Sequence, residues 1–348
     1  MNHYRLLPRL VTSCLLTFLG VSNSQAATTT ATTLNVFAPG VISGPANDAA
    51  ATFMPDGRTV FFFRSNGVDY DIMTSRFDGK RWLPSRVAPF SGRWRDLEPV
   101  VSPDGRFLVF ASNRPVDGSN KPLDGHWNDK LYAERGGNLW RVDRRGNSWS
   151  RPERLPTIVN RFDSTFSPAL ALDGTLYFMA ATGAHGRFRL YRTPFARGQY
   201  GTPEPLPFST GQWSDMDAAV APNQSFIVFA STRPPTPADK AEVFISFRHG
   251  KLWSRPQPVG AAINMLAPII ELRLGADGHT LYLTSRHVIP PAGYPKSVAE
   301  STAGLHQMDR WNNGSANIWK ADLAPLLPTL RARATWPAPS QPIPLTND

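Results

Sequence analysis

Cysteine is almost absent from this 348-residue chain: the one example, Cys14, sits inside an N-terminal apolar run. Beyond that run the chain has no thiol, which excludes a disulfide scaffold, a thiolate zinc site and a cysteine nucleophile. Charge is also thin, at 18% of residues, and acids are in deficit, 27 against 37 lysines and arginines, for a net charge of +10. The most apolar run, Leu10–Leu19, falls short of the roughly 20 residues a membrane-spanning helix needs. No G-x-S-x-G elbow, P-loop or G-x-G-x-x-G after a strand occurs, so serine-hydrolase and nucleotide chemistry lack support. No H-x-x-x-H or H-E-x-x-H pair occurs either, which leaves no local zinc motif.

What is present begins with an address. Arg5 and Arg9 form a basic start, Leu10–Leu19 an apolar centre, and Ser24-Gln25-Ala26 a small-x-small cleavage site. Residues 1–26 read as a signal peptide and 27–33 as a disordered tail. The mature chain is then periplasmic or secreted, with no transmembrane segment after signal removal. An exported basic protein meets little nucleic acid, so the expected partners are an envelope protein or an acidic polysaccharide.

One sentence of sequence then recurs. Asp96–Pro115 reads DLEPVVSPDGRFLVFASNRP, two apolar runs joined by a Ser-Pro-Asp-Gly turn. Asp-Gly between alternating apolar runs is a strong hairpin signal, because the turn needs φ > 0. Copies span Asp48–Ser65, Ser167–Ala181, Asp215–Pro234 and Glu271–Arg286. Their turns align at Asp56, Asp104, Asp173, Asn223 and Asp277, spaced by 48, 69, 50 and 54 residues. A third apolar strand follows each hairpin. A Gly turn with an aromatic then opens a fourth, as in GKRWLP (79–84) and GKLWSRP (250–256). The period is that of four-stranded propeller blades, and the tryptophans read as plugs between blades.

The phrase D-x-x-P-x-x-S-P-D-G-x-x-L-x-F-x-S-x-R, matched by Asp96 through Arg114, resembles the TolB-type (WD40-like) β-propeller repeat. The resemblance implies a propeller that is often periplasmic and often serves protein–protein contacts; related propellers occur in glycan lyases and as gating domains of peptidases. It departs from TolB itself, which has six blades and an N-terminal domain. The expected fold is thus all-β: one propeller over residues 34–323, with five blades, or six as the alternative. A proline-rich extension over 324–348 is expected as an extended strap. Ring closure falls to Leu34–Val41 or to 334–342, and the N-terminal strand is favoured because it removes an exposed sheet edge. Asn223-Gln224 replaces Asp-Gly in one turn and predicts strain there.

Antiparallel blades put the Asp-Gly and Gly turns on one face, and the second-to-third-strand and inter-blade connections on the other. On that second face two connections are enlarged, 115–137 and 287–316, and long loops in compact repeats are usually functional. His126, His185, His287 and His306 fall in such connections, beside Trp127 and Trp311. Acids form a second set. Asp48, Asp96 and Asp215 share one aligned position, Asp163 is two residues off it, and Glu98, Asp217 and Glu271 lie nearby. The run-ins Trp94-Arg95-Asp96, Arg161-Phe162-Asp163 and Trp213-Ser214-Asp215 place aromatic and cationic groups beside the acid, which suits sugars and their carboxylates.

These residues support two readings. In one, the long-loop face recognises a protein or an acidic envelope glycan without catalysis. In the other, the chain is a carbohydrate-active lyase or hydrolase with His126, His306, Asp96 and Asp215 as catalytic candidates. A divalent cation at the channel mouth is the cofactor an acidic ring would hold. The alternative role of the aligned aspartates is to cap inter-blade loops by accepting backbone N–H groups, and the histidines equally fit ordinary loop composition.

Overall fold

A computed structural model describes residues 33–181, 186–237, 240–290 and 293–337. The expected signal peptide, nearly all of the 27–33 tail, His185 and residues 338–348 of the extension lie outside the described residues. No helix among the described residues is long and apolar enough to cross a membrane.

Each repeat folds as one antiparallel blade, and there are five. The innermost strands are Asn47–Phe53, Asp96–Val101, Ser164–Leu170, Asp215–Val220 and Ile269–Leu274. They touch in that order and the last returns to the first, which closes a five-bladed propeller. The second strands, such as Phe107–Ser112 and Phe226–Ser231, are almost wholly apolar and buried because each is covered on both faces by neighbouring blades. Core clusters accordingly lie between blades; Met54 and Phe61 of blade one pack with Val101, Leu108 and Phe110 of blade two.

The N-terminal strand closes the ring. Asn35 and Val36 pair with Lys320 and Trp319 as the fourth strand of blade five. The same segment supplies a recurring cap. In blades one to four an inter-blade Ser or Asn accepts a third-strand N–H: Ser91 from Ile72, Asn160 from Leu139, Ser209 from Leu190 and Asn264 from Val243. In blade five Ser43 does so for Ile318 at 3.2 Å. The chain's start thus substitutes for a missing blade end in both pairing and capping.

Two local expectations change. The fourth strands begin later than the Gly–aromatic signal, at Arg86, Glu153, Glu204 and Gln257. The aromatic instead prolongs the third strand's own hairpin, with Trp149 opposite Arg144 and Trp253 opposite Arg248. Trp253 is buried between blades three and four, and Trp149 and Trp82 are half-buried against other inter-blade clusters. The C-terminal extension opens not as an extended strap but as the helix Leu327–Ala332, because Leu330 has a place in the apolar cluster of blades four and five.

The repeated turns have their predicted backbone. Gly57, Gly105, Gly174 and Gly278 all take positive φ, and Gln224 takes φ 58° at the fifth position. Its side chain offsets that strain. Gln224 accepts from Tyr177 Oη at 2.8 Å and Arg248 Nη1 at 2.9 Å, and donates to Asp173 at 2.7 Å, which ties blade three to blade four.

Candidate functional site

Three of the five inner strands begin with a buried acid clasped by an arginine. Asp48 receives Arg64 Nε at 2.7 Å and Nη2 at 3.2 Å, and the Gly44 amide at 2.7 Å. Asp96 receives Arg114 Nη2 at 2.7 Å and the Ser91 hydroxyl at 2.9 Å. Asp215 receives Arg233 Nη2 at 2.6 Å and the Ser231 hydroxyl at 2.7 Å. Local geometry explains the repeat's F-x-S-x-R ending. Ser112 and Ser231 accept from the Nε of Arg114 and Arg233, and each guanidinium lies over the preceding Phe110 or Phe229 at 5.2 Å. Burial pushes the carboxyls of Asp48 and Asp96 upward, against the pull of their donors. The capping role is met at Asp48 through Gly44, and at all three sites the arginine claims the carboxylate.

Two residues further along, every inner strand bulges. The ladder slips by one residue in each blade. At the slip Ala50, Glu98, Ser167, Asp217 and Glu271 all hold left-handed φ, between 47° and 57°. A bulge re-aims a side chain and bends its strand, and five non-glycine residues in this region are costly. The spacings are those of the turns, so the five positions form one ring.

On that ring one blade's side chain holds the next blade's bulge. Glu98 accepts the Ser167 amide at 2.5 Å, and Asp217 accepts the Glu271 amide at 3.2 Å. Glu98, Asp217 and Glu271, all buried, bring carboxylate oxygens within 4.8 Å of one another; among the described residues no other group of His, Cys, Asp or Glu does this. Burial, then the Asp217 charge, pushes the Glu98 carboxyl up to about 7. Burial raises Asp217, and burial with the Glu98 and Asp217 charges drives Glu271 well above the ordinary range. The nearest cation is Arg273, 3.8 Å from Glu271. Arg273 also lines a cavity of about 190 Å³ rimmed by Pro55, Pro103 and Pro222 of the tight turns. The cavity is lined by the tight-turn ends of the inner strands, and Arg273 stands between it and the carboxylates.

The remaining candidates are spread out. Asp163 and Arg161 are exposed, and Trp94, Arg95 and Trp213 are half-buried. Arg95 lies over the Tyr70 ring at 4.1 Å. His126 and Trp127 occupy a small hairpin, Gly125–Trp127 with Lys130–Tyr132, in the blade-two excursion. Trp127 stacks on Tyr132 at 4.1 Å and packs on Phe166 and Phe188 of blade three, so it docks the hairpin. His287 packs against Trp319 at 5.7 Å. His306 is exposed on the helix Val298–Arg310, and Trp311 caps that helix. Thus the histidines His126, His287 and His306 do not converge, while three acids do. Glu98, Asp217 and Glu271 were visible as acids near the aligned aspartates. Carrying the 48, 69, 50 and 54 spacings onto the bulge position puts Glu98, Ser167, Asp217 and Glu271 in one register, but not Arg273, which lies two residues beyond it.

No family model matches the chain, and no curated protein does. Among solved structures it is similar to a thermostable family-43 glycoside hydrolase, with TM-score 0.50 and 9% identity over 87% of this chain and 97% of that one. A putative TolB from Agrobacterium tumefaciens gives TM-score 0.46 and 12% identity, over 69% of this chain and 70% of that one. TolB from Acinetobacter baumannii gives 0.39 and 18%, over 60% of this chain and 42% of that one. At these identities the likeness concerns the propeller fold alone, in keeping with the TolB-like repeat read from Asp96–Arg114.

Proposed function

We propose that the protein is an exported recognition propeller that takes a protein partner of the cell envelope on the face carrying the long connections. One observation carries this reading. The blade-five excursion holds a 13-residue helix, Val298–Arg310, none of whose residues is buried. It is held by a capping box, Ser297 with Glu300, and by Asn312, which exchanges two hydrogen bonds with the Ile289 backbone. A helix of this length has marginal stability in water unless an apolar face is covered. Here Leu305 is 60% and Met308 51% exposed, and with Val288 and Ile289 they line an open groove. An apolar patch displayed on a folded excursion suits a protein partner better than a sugar polymer, whose recognition rests on polar and stacking contacts.

Export rests on the Arg5, Arg9 and Leu10–Leu19 pattern and its cleavage site. The catalytic alternative draws less support, because Asp96 and Asp215 are engaged by arginines and the described histidines stand on separate elements. A photoreactive residue placed at Leu305 in intact cells tests the reading, with Leu252 on the tight-turn face as the comparison. A discrete heterologous adduct from position 305 alone, lost when Met308→Glu is added, is the expected result. Equal labelling at both positions, or turnover of an acidic polysaccharide that His126→Ala abolishes, overturns it.

A further inference from the structure

We propose that Glu98, Asp217 and Glu271 form a binding site for one divalent cation of the calcium class at the centre of the propeller.

Geometry comes first. Three oxygens no more than 4.8 Å apart share a point about 2.8 Å or less from each, so only small shifts reach the 2.3–2.6 Å of Ca²⁺–oxygen bonds. Magnesium would require a larger contraction, to about 2.0–2.1 Å, and tighter octahedral order. The donors are all hard oxygens, with no histidine or thiolate among them, which disfavours zinc. Charge comes second. Three ionised carboxylates and Arg273 sum to two negative charges, the amount one divalent ion neutralises in a buried place where uncompensated charge is expensive.

A separate observation points to a ligand. Arg273 is only 3% exposed, yet its Nη2 makes no hydrogen bond. It faces Glu271 Oε2, which also has no hydrogen-bond partner, across 3.8 Å. Buried polar atoms are normally satisfied. A cation taking Oε2 as a ligand, with a coordinated water accepting from Nη2, satisfies both. The remaining contacts of Arg273, to the backbone oxygens of Pro99 at 3.2 Å and Leu272 at 2.7 Å and to the Ser167 hydroxyl at 3.4 Å, hold it as a fixed outer partner. The outer partner Arg273 also stands in the wall of the cavity on the tight-turn face.

Calorimetric titration of the chelator-treated full chain with CaCl₂, MgCl₂ and ZnCl₂ tests the site. One Ca²⁺ per chain with Kd at or below about 1 mM is expected, with a Tm rise of about 5 °C at a hundredfold excess over Kd. Glu271→Gln and Asp217→Asn should each weaken Ca²⁺ at least about tenfold, and the exposed-surface variant Glu153→Gln should leave it unchanged. Near-UV circular dichroism identifies any variant that fails to fold, and Glu98→Gln then serves in its place. Absence of saturation by about 10 mM Ca²⁺, tighter binding of Mg²⁺ or Zn²⁺, or Ca²⁺ binding undiminished in the folded variants overturns the proposal.

Discussion

Asp96 and Glu98 lie two residues apart on one strand, both buried, both acidic, and they live in opposite electrostatic settings. So do Asp215 and Asp217. The first acid of each pair has a dedicated guanidinium within 2.7 Å, reinforced by a serine hydroxyl. The second has other carboxylates as neighbours, and a single arginine serves all three at a distance. A buried charge with a good partner is a structural fitting; buried charges crowded against each other persist where they have something to bind or a proton to hold. The difference separates the acids that build this propeller from the acids that it presents.

The sharpest way to break that distinction is to remove a clasp. Arg114→Ala strands the fully buried Asp96 carboxylate and strips the contacts over Phe110 and Trp140. The expected loss is about 3–5 kcal/mol of unfolding free energy in urea. A loss below about 1 kcal/mol, the range of an exposed pair, would mean that the clasped and crowded acids do not differ in kind.

The second prediction uses pH on chelator-treated protein. Glu98, with its folded carboxyl raised to about 7, binds its proton more tightly folded than unfolded. The contribution is therefore most favourable below the ordinary glutamate value. It is lost as pH rises from about 4.5 towards 7, by something on the order of 3 kcal/mol, and levels off above. Glu98→Gln should flatten the stability curve in that window, whereas a curve as steep as that of the parent chain removes Glu98 from the crowded set.

A matched pair of amides sharpens the contrast by sign. Asp96→Asn weakens its bond to Arg114 and should cost about 1–3 kcal/mol. Glu271→Gln removes an acid whose ionisation is disfavoured by burial beside two other carboxylates, and should stabilise the metal-free protein at pH 8 by roughly 1–2 kcal/mol. Denaturation of the two variants side by side checks this, and equal signs would sink it.

The architecture was legible because its devices are local. Asp-Gly turns announce positive φ, and the structure has it at Gly57, Gly105, Gly174 and Gly278. Closure by the N-terminal strand followed from the cost of a bare sheet edge. The two ends of the repeat phrase, Asp96 and Arg114, were visible as letters, but nothing along the chain tells that they bind each other. The carboxylate centre was harder. A bulge takes one residue out of the ladder, so the period-two pleat does not say where Glu98 or Asp217 points. Arg273 reads as an ordinary basic residue until blade five brings it round to Ser167 and Pro99. Histidines attracted notice by type, and the loops of His126, His287 and His306 keep those three apart.

The smallest effect bears on why the bulges exist. Ala50 occupies the ring position of blade one at φ 57°, buried, without a polar side chain to hold the neighbouring blade. Here the left-handed backbone is strain with no compensating bond, so Ala50→Gly should be neutral or stabilise by up to about 1 kcal/mol. Glu98→Gly relieves the same strain but surrenders the bond to the Ser167 amide, and should leave the metal-free protein no more stable at pH 8. If Ala50→Gly destabilised the fold by more than about 1 kcal/mol, the left-handed bulge would itself be a device of closure in every blade. Its acids would then be passengers on a geometry required for other reasons. If the two substitutions part company as expected, the bend is kept for what its side chains do at the centre.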